Sequence, residues 1–147
     1  MNKSWIEYFF RLCETVASKS KDESHKVGCV IVGEHNNVLS TGFNGYPRDV
    51  QEHPERRAKP IKYYFTEHAE RNAIYNAARH GVALEGSTLY VNGLPPCTDC
   101  TRAIIQSGIK EVYIKFPETE DKNSRWSEEF RYSKKMMEES GILHYMY

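Results

Sequence analysis

The sequence predicts an α/β protein: a three-layer α/β/α sandwich on a mixed five-stranded sheet with an N-terminal hairpin. Three observations predict it. Two runs, "VGCVIVG" (27–33) and "VLSTGF" (38–43), flank the polar turn "EHNN" and read as a hairpin. Beyond them, short β-branched runs alternate with stretches of helical period. The resulting order, α-β-β-α-β-α-β-α-β, links its later strands through helices, which must cover the faces of the sheet.

Each element has its own signal. Trp5, Phe9, Leu12 and Val16 recur at helical spacing and predict one apolar face of a first helix. Lys19 to Lys26 is polar and reads as a loop. After the hairpin, Asn44 to Thr66 is rich in Pro, Gly and charge, a long loop of the kind that often serves function. "EHAERNAIYNAARHG" predicts a helix from about Glu67 to a terminating Gly81. Its alanines at 69, 73, 77 and 78 allow close approach to a sheet. "STLYVNG" (87–93) is a strand. Pro95 and Pro96 are expected in the first turn of the next helix, which runs to about Ser107. "KEVYI" (110–114) is a strand, Glu118 to Ser127 a polar loop, Glu128 to Ser140 a helix and "ILHYMY" a last strand.

A chain of 147 residues suits one domain with a substantial core. Lys plus Arg balances Asp plus Glu, 20 against 20, so no bulk field draws the protein to nucleic acid. No apolar run approaches the roughly 18–20 residues that span a bilayer, and the N-terminus lacks a secretory-signal pattern. Four unevenly placed cysteines do not make a disulfide framework. A cytoplasmic protein is expected.

Two of those cysteines stand in "LPPCTDC" (94–100). Positions three apart on a helix lie about 60° apart, so Cys97 and Cys100 can grip one ion. At a helix start, the dipole and free N–H groups favour their thiolates, a soft donor pair that suits zinc. A structural zinc knuckle would need a second such pair, and Cys13 and Cys29 stand apart in the first helix and first strand. A thioredoxin-like redox pair would follow the first strand of a βαβ unit, not the third.

The third ligand is sought among six histidines. His25, His35, His53 and His144 fall in loops or a terminal strand, and His80 at a helix end. His68 stands at the first turn of its helix, two residues before Glu70. In mid-helix such a pair points about 200° apart; at a helix mouth both can converge beyond the end of the axis. That gives one metal ligand and one acid/base. Three protein ligands leave a position for water, whose pKa zinc lowers toward about 7. "HAE" alone is usually an ordinary helix start, but pairing it with "PPCTDC" about thirty residues downstream makes the pattern specific.

His68-Ala69-Glu70 with Pro96-Cys97-Thr98-Asp99-Cys100 matches the H-x-E…P-C-x-x-C pattern of the zinc deaminases. Within that family the chain resembles the deoxycytidylate (dCMP) deaminases, through "ASKSKDESHKVGCVIV", "STGFNGYPRD", "TEHAERNAIYNAARHG" and "STLYVNGLPPCTDCTRAIIQSGIKEV". The resemblance implies a cytidine deaminase-like fold over a single domain, 1–147. It also implies a hydrolase of a cyclic amidine C–N bond that turns dCMP into dUMP for thymidylate synthesis, releasing ammonia. His68, Cys97 and Cys100 would hold one zinc per subunit, and Glu70 would shuttle protons. Asn44 would hydrogen-bond the nucleotide, and the backbone at Ala69 would meet the pyrimidine edge.

Further expectations follow from the same resemblance: activation by dCTP, inhibition by dTTP with Mg²⁺, and a homo-oligomer, a hexamer in many relatives. Gly42, Phe43, Asn44, Gly45 and Arg48 would form the effector segment, with Phe43 where relatives carry Tyr. The 5′-phosphate needs cations or hydroxyls, which the segment Lys19 to Lys26 offers, Lys21 and Ser24 among them. That segment reads equally well as a solvated loop. Trp126 stands where relatives place an aromatic over the substrate, and core or surface packing accounts for it as well.

Related chemistries share the zinc pattern. A tRNA adenosine deaminase would be expected to show a basic face, the riboflavin-synthesis deaminase a fused reductase, and free cytidine deaminases a Cys at position 68. Guanine deaminase lacks the "GFNGYPRD" match, and a non-catalytic nucleotide-sensing zinc protein would need no Glu70.

Overall fold

The computed structural model describes residues 2–116 and 125–147, apart from the side chains of 125–127. Helix α1 (Lys3–Ala17) precedes strands β1 (Gly28–Val32) and β2 (Val38–Phe43). The long segment that follows contains a 3-10 turn, Pro54–Arg56, and a single helical turn, α2 (Lys62–Phe65). Then come α3 (Ala69–Arg79), β3 (Thr88–Asn92), α4 (Thr98–Gln106), β4 (Glu111–Lys115), α5 (Arg125–Glu139) and β5 (Leu143–Met146).

The five strands form one sheet in the order β2-β1-β3-β4-β5. β1 runs antiparallel to both β2 and β3, and β3, β4 and β5 are parallel. The sheet is therefore mixed, as expected. β1 is buried along its whole length because both of its faces are covered, which is why it reads as one continuous apolar run. Successive residues alternate between those faces. Cys29, Ile31, Leu89, Val91, Val112 and Ile114 meet Ala69, Ala73 and Ala77 of α3, Ile104 of α4 and Met137 of α5. Val30, Val32, Tyr90 and Tyr113 meet Ile6, Phe9, Phe10 and Cys13 of α1.

The face of α1 differs from expectation. The buried row is Ile6, Phe9, Phe10, Cys13 and Ala17, with Leu12 and Val16 at its margin and Trp5 39% exposed. Tyr90 sets this rotation: Phe9 and Phe10 flank its ring at centroid distances of 4.9 and 5.6 Å, which turns Trp5 outward.

Two glycines set the layer spacing. A Cβ on Gly28 would strike the α1 backbone at Cys13 and Ala17, and one on Gly42 would strike the α3 backbone at Ala69 and Ala73. The sheet thus lies directly against both helices. Helix α5 begins three residues earlier than expected, at Arg125, so Trp126 stands in its first turn rather than in a loop. The rest of the expected loop, 118–124, lies outside the described residues. Among the described residues, no helix is long and apolar enough to cross a membrane.

Candidate metal centre and active site

Both ligand-bearing stretches sit at helix starts, one position further out than the sequence suggests. His68 is the N-cap residue of α3, with extended backbone (φ −76°, ψ 153°). Cys97 is the N-cap residue of α4 (φ −65°, ψ 171°). Pro95 and Pro96 therefore precede the helix instead of forming its first turn, and they deliver an extended chain to the cap. Cys97 takes the place of a capping hydroxyl: its Sγ accepts the Cys100 N–H at 3.4 Å. Being outside the helical turn also solves the His68–Glu70 geometry. The imidazole is not bound to the 100° step of the helix, so it can face the same space as a carboxylate two residues on.

The two helix starts meet. Imidazole Nδ1 of His68 lies 3.4 Å from the sulfur of Cys97 and 3.4 Å from that of Cys100. One donor atom from each of the three residues falls within 4.8 Å of the others. A tetrahedral zinc with ordinary Zn–S and Zn–N bonds would hold its S and N donors about 3.6 Å apart. The arrangement fits zinc in donor chemistry and in spacing, and among the described residues the cluster supplies three protein ligands, which leaves a fourth position for water.

The charges within the cluster are coupled. The Cys97 sulfur is pushed down to about 4 by the bond from the Cys100 thiol, assisted by the His68 imidazole and the Cys100 N–H against the cost of burial. Cys100 is pushed up, because its proton is held against the Cys97 sulfur, burial and the Glu70 carboxylate. The bond to Cys97 likewise raises His68, against burial. Glu70 is only 5% exposed, and burial raises its carboxyl above the ordinary range although the nearby imidazole opposes this. A buried carboxyl beside the His68–Cys97–Cys100 cluster is placed to accept and return a proton.

The centre opens onto a cavity of about 1150 Å³. His68, Ala69, Glu70, Cys97, Asn44 and Ser24 all line it, whereas Cys100 is fully buried behind the metal position. Asn44 spends most of its amide on the protein. Its Oδ1 accepts the Val27 N–H at 2.9 Å, and its Nδ2 donates to the His25 carbonyl at 2.8 Å. One amide hydrogen is left over for a ligand.

Other expected site residues lie apart. Lys21 is not on the cavity; its ammonium pairs with Glu52 at 3.3 Å on the surface. Arg48 donates to Asn76 Oδ1 at 2.8 Å, and Phe43 is 39% exposed. Gly42 serves packing against α3. Gly45 exchanges backbone bonds with Glu67 at 2.8 and 3.1 Å, fastening the start of the long segment to the residue before His68. The side chain of Trp126 lies outside the described residues.

Sequence reasoning missed four contributors. Lys62 and Lys59, from the long segment, line the cavity. Glu129 of α5 accepts both the N–H and the hydroxyl of Thr98. Arg71 pairs with Glu67 at 2.6 Å, an i,i+4 relationship that the sequence does display.

Comparison with known proteins agrees with this geometry. A family model, the cytidine and deoxycytidylate deaminase zinc-binding region, matches residues 3–116. An uncharacterized deaminase in the luxG 3′ region of Aliivibrio fischeri is 44% identical over 143 residues, covering 97% of this chain and 92% of that protein. The deoxycytidylate deaminase of Homo sapiens is 39% identical over 114 residues, 74% of this chain; the match spans 62% of the human protein, less than two thirds. A probable deoxycytidylate deaminase of Caenorhabditis elegans is spanned over 65% of its length. The fold is that of the dCMP deaminase of cyanophage S-TIM5, solved with dCMP and dUMP, with a TM-score of 0.77 at 24% identity over 100% of this chain and 99% of that one. The chain belongs to the zinc-binding cytidine and deoxycytidylate deaminase family.

Proposed function

We propose that this protein converts dCMP and water into dUMP and ammonia. The observation that carries the reading is the convergence of His68, Cys97 and Cys100 within 4.8 Å beside a buried Glu70. Zinc, when bound by those three residues, supplies an acidified water as the nucleophile at neutral pH. The rest falls to the chain. Glu70 accepts the proton that the attacking water gives up and returns it to the amine, so that the nitrogen leaves as ammonia. Ala69, 1% exposed at the start of α3, offers its backbone to the edge of the pyrimidine. The remaining amide hydrogen of Asn44 reaches toward the nucleotide.

The cavity also suits a phosphate. Lys26 and Lys59 line it, and among the described residues neither has an ion-pair partner, whereas Lys62 is held by Asp22. Together with Ser24 they replace Lys21 as the candidates for the 5′-phosphate.

The same reading includes activation by dCTP, inhibition by dTTP with Mg²⁺, a hexameric assembly and a cytoplasmic location. The Gly45–Glu67 pairing supports the regulatory part, because a ligand on Phe43 to Arg48 would act one residue from His68. Velocity at low dCMP, with each triphosphate added in turn, tests it; no response to either removes the regulation. The substrate is tested by ammonia release from dCMP, deoxycytidine, CMP, guanine and tRNA. Release from dCMP well above the others is expected, and preference for any other substrate overturns the assignment.

A further inference from the structure

The two turns that hold the metal ligands belong to different helices, and one side chain touches both. Glu67 Oε1 accepts the His68 N–H at 3.0 Å and the Arg71 Nε at 2.6 Å. The far end of the same guanidinium, Nη1, lies 3.5 Å from Asp99 Oδ2, and Asp99 stands between Cys97 and Cys100. Arg71 thus ties the backbone of the histidine ligand to the first turn of α4, between the cysteine ligands. Its planar fork is what permits two partners in different directions. The two links are unequal. Arg71 and Glu67 are 20% and 23% exposed, while Asp99 is 57% exposed and shared with Arg102. The Glu67 link is therefore the stronger and the Asp99 link the weaker.

A tetrahedral site needs its donors held to within about 0.5 Å. Here His68 and Cys97 are both N-cap residues whose carbonyls accept the first helical bonds, from the Asn72 N–H at 2.9 Å and the Thr101 N–H at 2.8 Å, so each helix holds its own ligand but neither sets one ligand against the other. The Gly45 backbone pairing anchors Glu67 from the opposite side. The chain Gly45–Glu67–Arg71–Asp99 supplies the registration that the helices do not.

We propose that Arg71 is a positioning residue of the metal centre, bridging Glu67 and Asp99 so that His68, Cys97 and Cys100 are set in place before the metal arrives. Arg71 acts through the two ligand-bearing turns rather than as a ligand. The inference rests on the metal-site reading and not on the identity of the nucleotide.

The test uses the full chain with the metal alone. Zinc affinity is measured by chelator competition, alongside the thermal midpoint of the metal-free protein and the visible spectrum of the cobalt-substituted form. Arg71→Met keeps the aliphatic stem and removes the fork. It should weaken zinc binding about 10- to 100-fold and alter the cobalt d–d bands, with a metal-free midpoint lowered by only a few degrees. Arg71→Lys should recover part of the affinity, since an ammonium can reach Glu67 but cannot span to Asp99. Asp99→Asn should cost less than Arg71→Met. If Arg71→Met does not fold, Glu67→Gln carries the test by the same readouts. Unchanged zinc affinity in a folded variant overturns the proposal. So does an affinity loss with wild-type cobalt bands, which would mark Arg71 as a fold-stabilising residue only. Either failure would leave the dCMP assignment standing, because no nucleotide enters the measurement.

Discussion

Glu129 and Thr98, on different helices, meet through a single oxygen: Glu129 Oε1 accepts the Thr98 N–H and the Thr98 hydroxyl, each at 3.1 Å. Thr98 is the first residue of α4, one position after a metal ligand, and its N–H has no partner within the helix. The carboxylate of α5 thus caps the helix that presents Cys100, and its charge complements the positive end of that helix.

Thr98→Val removes the hydroxyl and keeps the backbone bond, so it should cost about 1 kcal/mol and lower the thermal midpoint by a few degrees. Glu129→Ala removes both bonds and should cost more. A scan in which the two variants match the wild type would remove the capping role.

Gly42→Ala places a methyl group against the α3 backbone at Ala69 and Ala73, where neither strand nor helix can yield easily. The expected loss is about 1–3 kcal/mol, read by denaturant unfolding. An unchanged midpoint would show that β2 and α3 are not in close contact.

Asp22 supports the acid stability of the cavity wall. Burial pushes its carboxyl up, but the His25 and Ser24 N–H groups, at 2.9 and 2.8 Å, and the Lys62 ammonium, at 3.3 Å, outweigh this and hold it below the ordinary carboxylate range. A group whose folded pKa lies below its unfolded value stabilises the fold fully above the unfolded pKa, about 4. That contribution is lost as pH falls through the folded pKa. Asp22→Asn should therefore be less stable than wild type at pH 7, by about 1 kcal/mol, with the difference closing below about pH 4. A constant difference across that range would contradict the assignment.

Glu70→Gln keeps the shape of the side chain and removes its proton chemistry. It should retain about one zinc per chain while deamination falls by roughly 10² to 10⁴. Wild-type turnover in that variant would end the proton-shuttle role.

What the sequence reveals depends on how local the cause is. β2 is legible to the residue because the polar turn "EHNN" bounds it on one side and the long Pro- and Gly-rich segment on the other. The metal triad is legible because helix starts are marked by composition and the cysteine spacing is local. The start of α4 is not, since two prolines are compatible with either the first turn or the approach to the cap. The face of α1 is set by Phe9 and Phe10 against Tyr90, a contact across about eighty residues that periodicity does not contain. Arg71 could have been read from its i,i+4 spacing to Glu67. Glu129 could not, since its partner is 31 residues away on another helix. Lys21 and Lys26 carry the same charge in one polar stretch, and only the folded chain shows that Lys26 faces the cavity and Lys21 faces Glu52.

Turnover of dCMP by this chain should depend on zinc held by His68, Cys97 and Cys100. That dependence is tested most directly by following dUMP formation against zinc content, in protein stripped by chelator and reloaded stepwise. No turnover is expected in the stripped protein, and the rate should rise in proportion to zinc, levelling at about one ion per chain. Full dUMP formation by the metal-free protein would contradict that dependence.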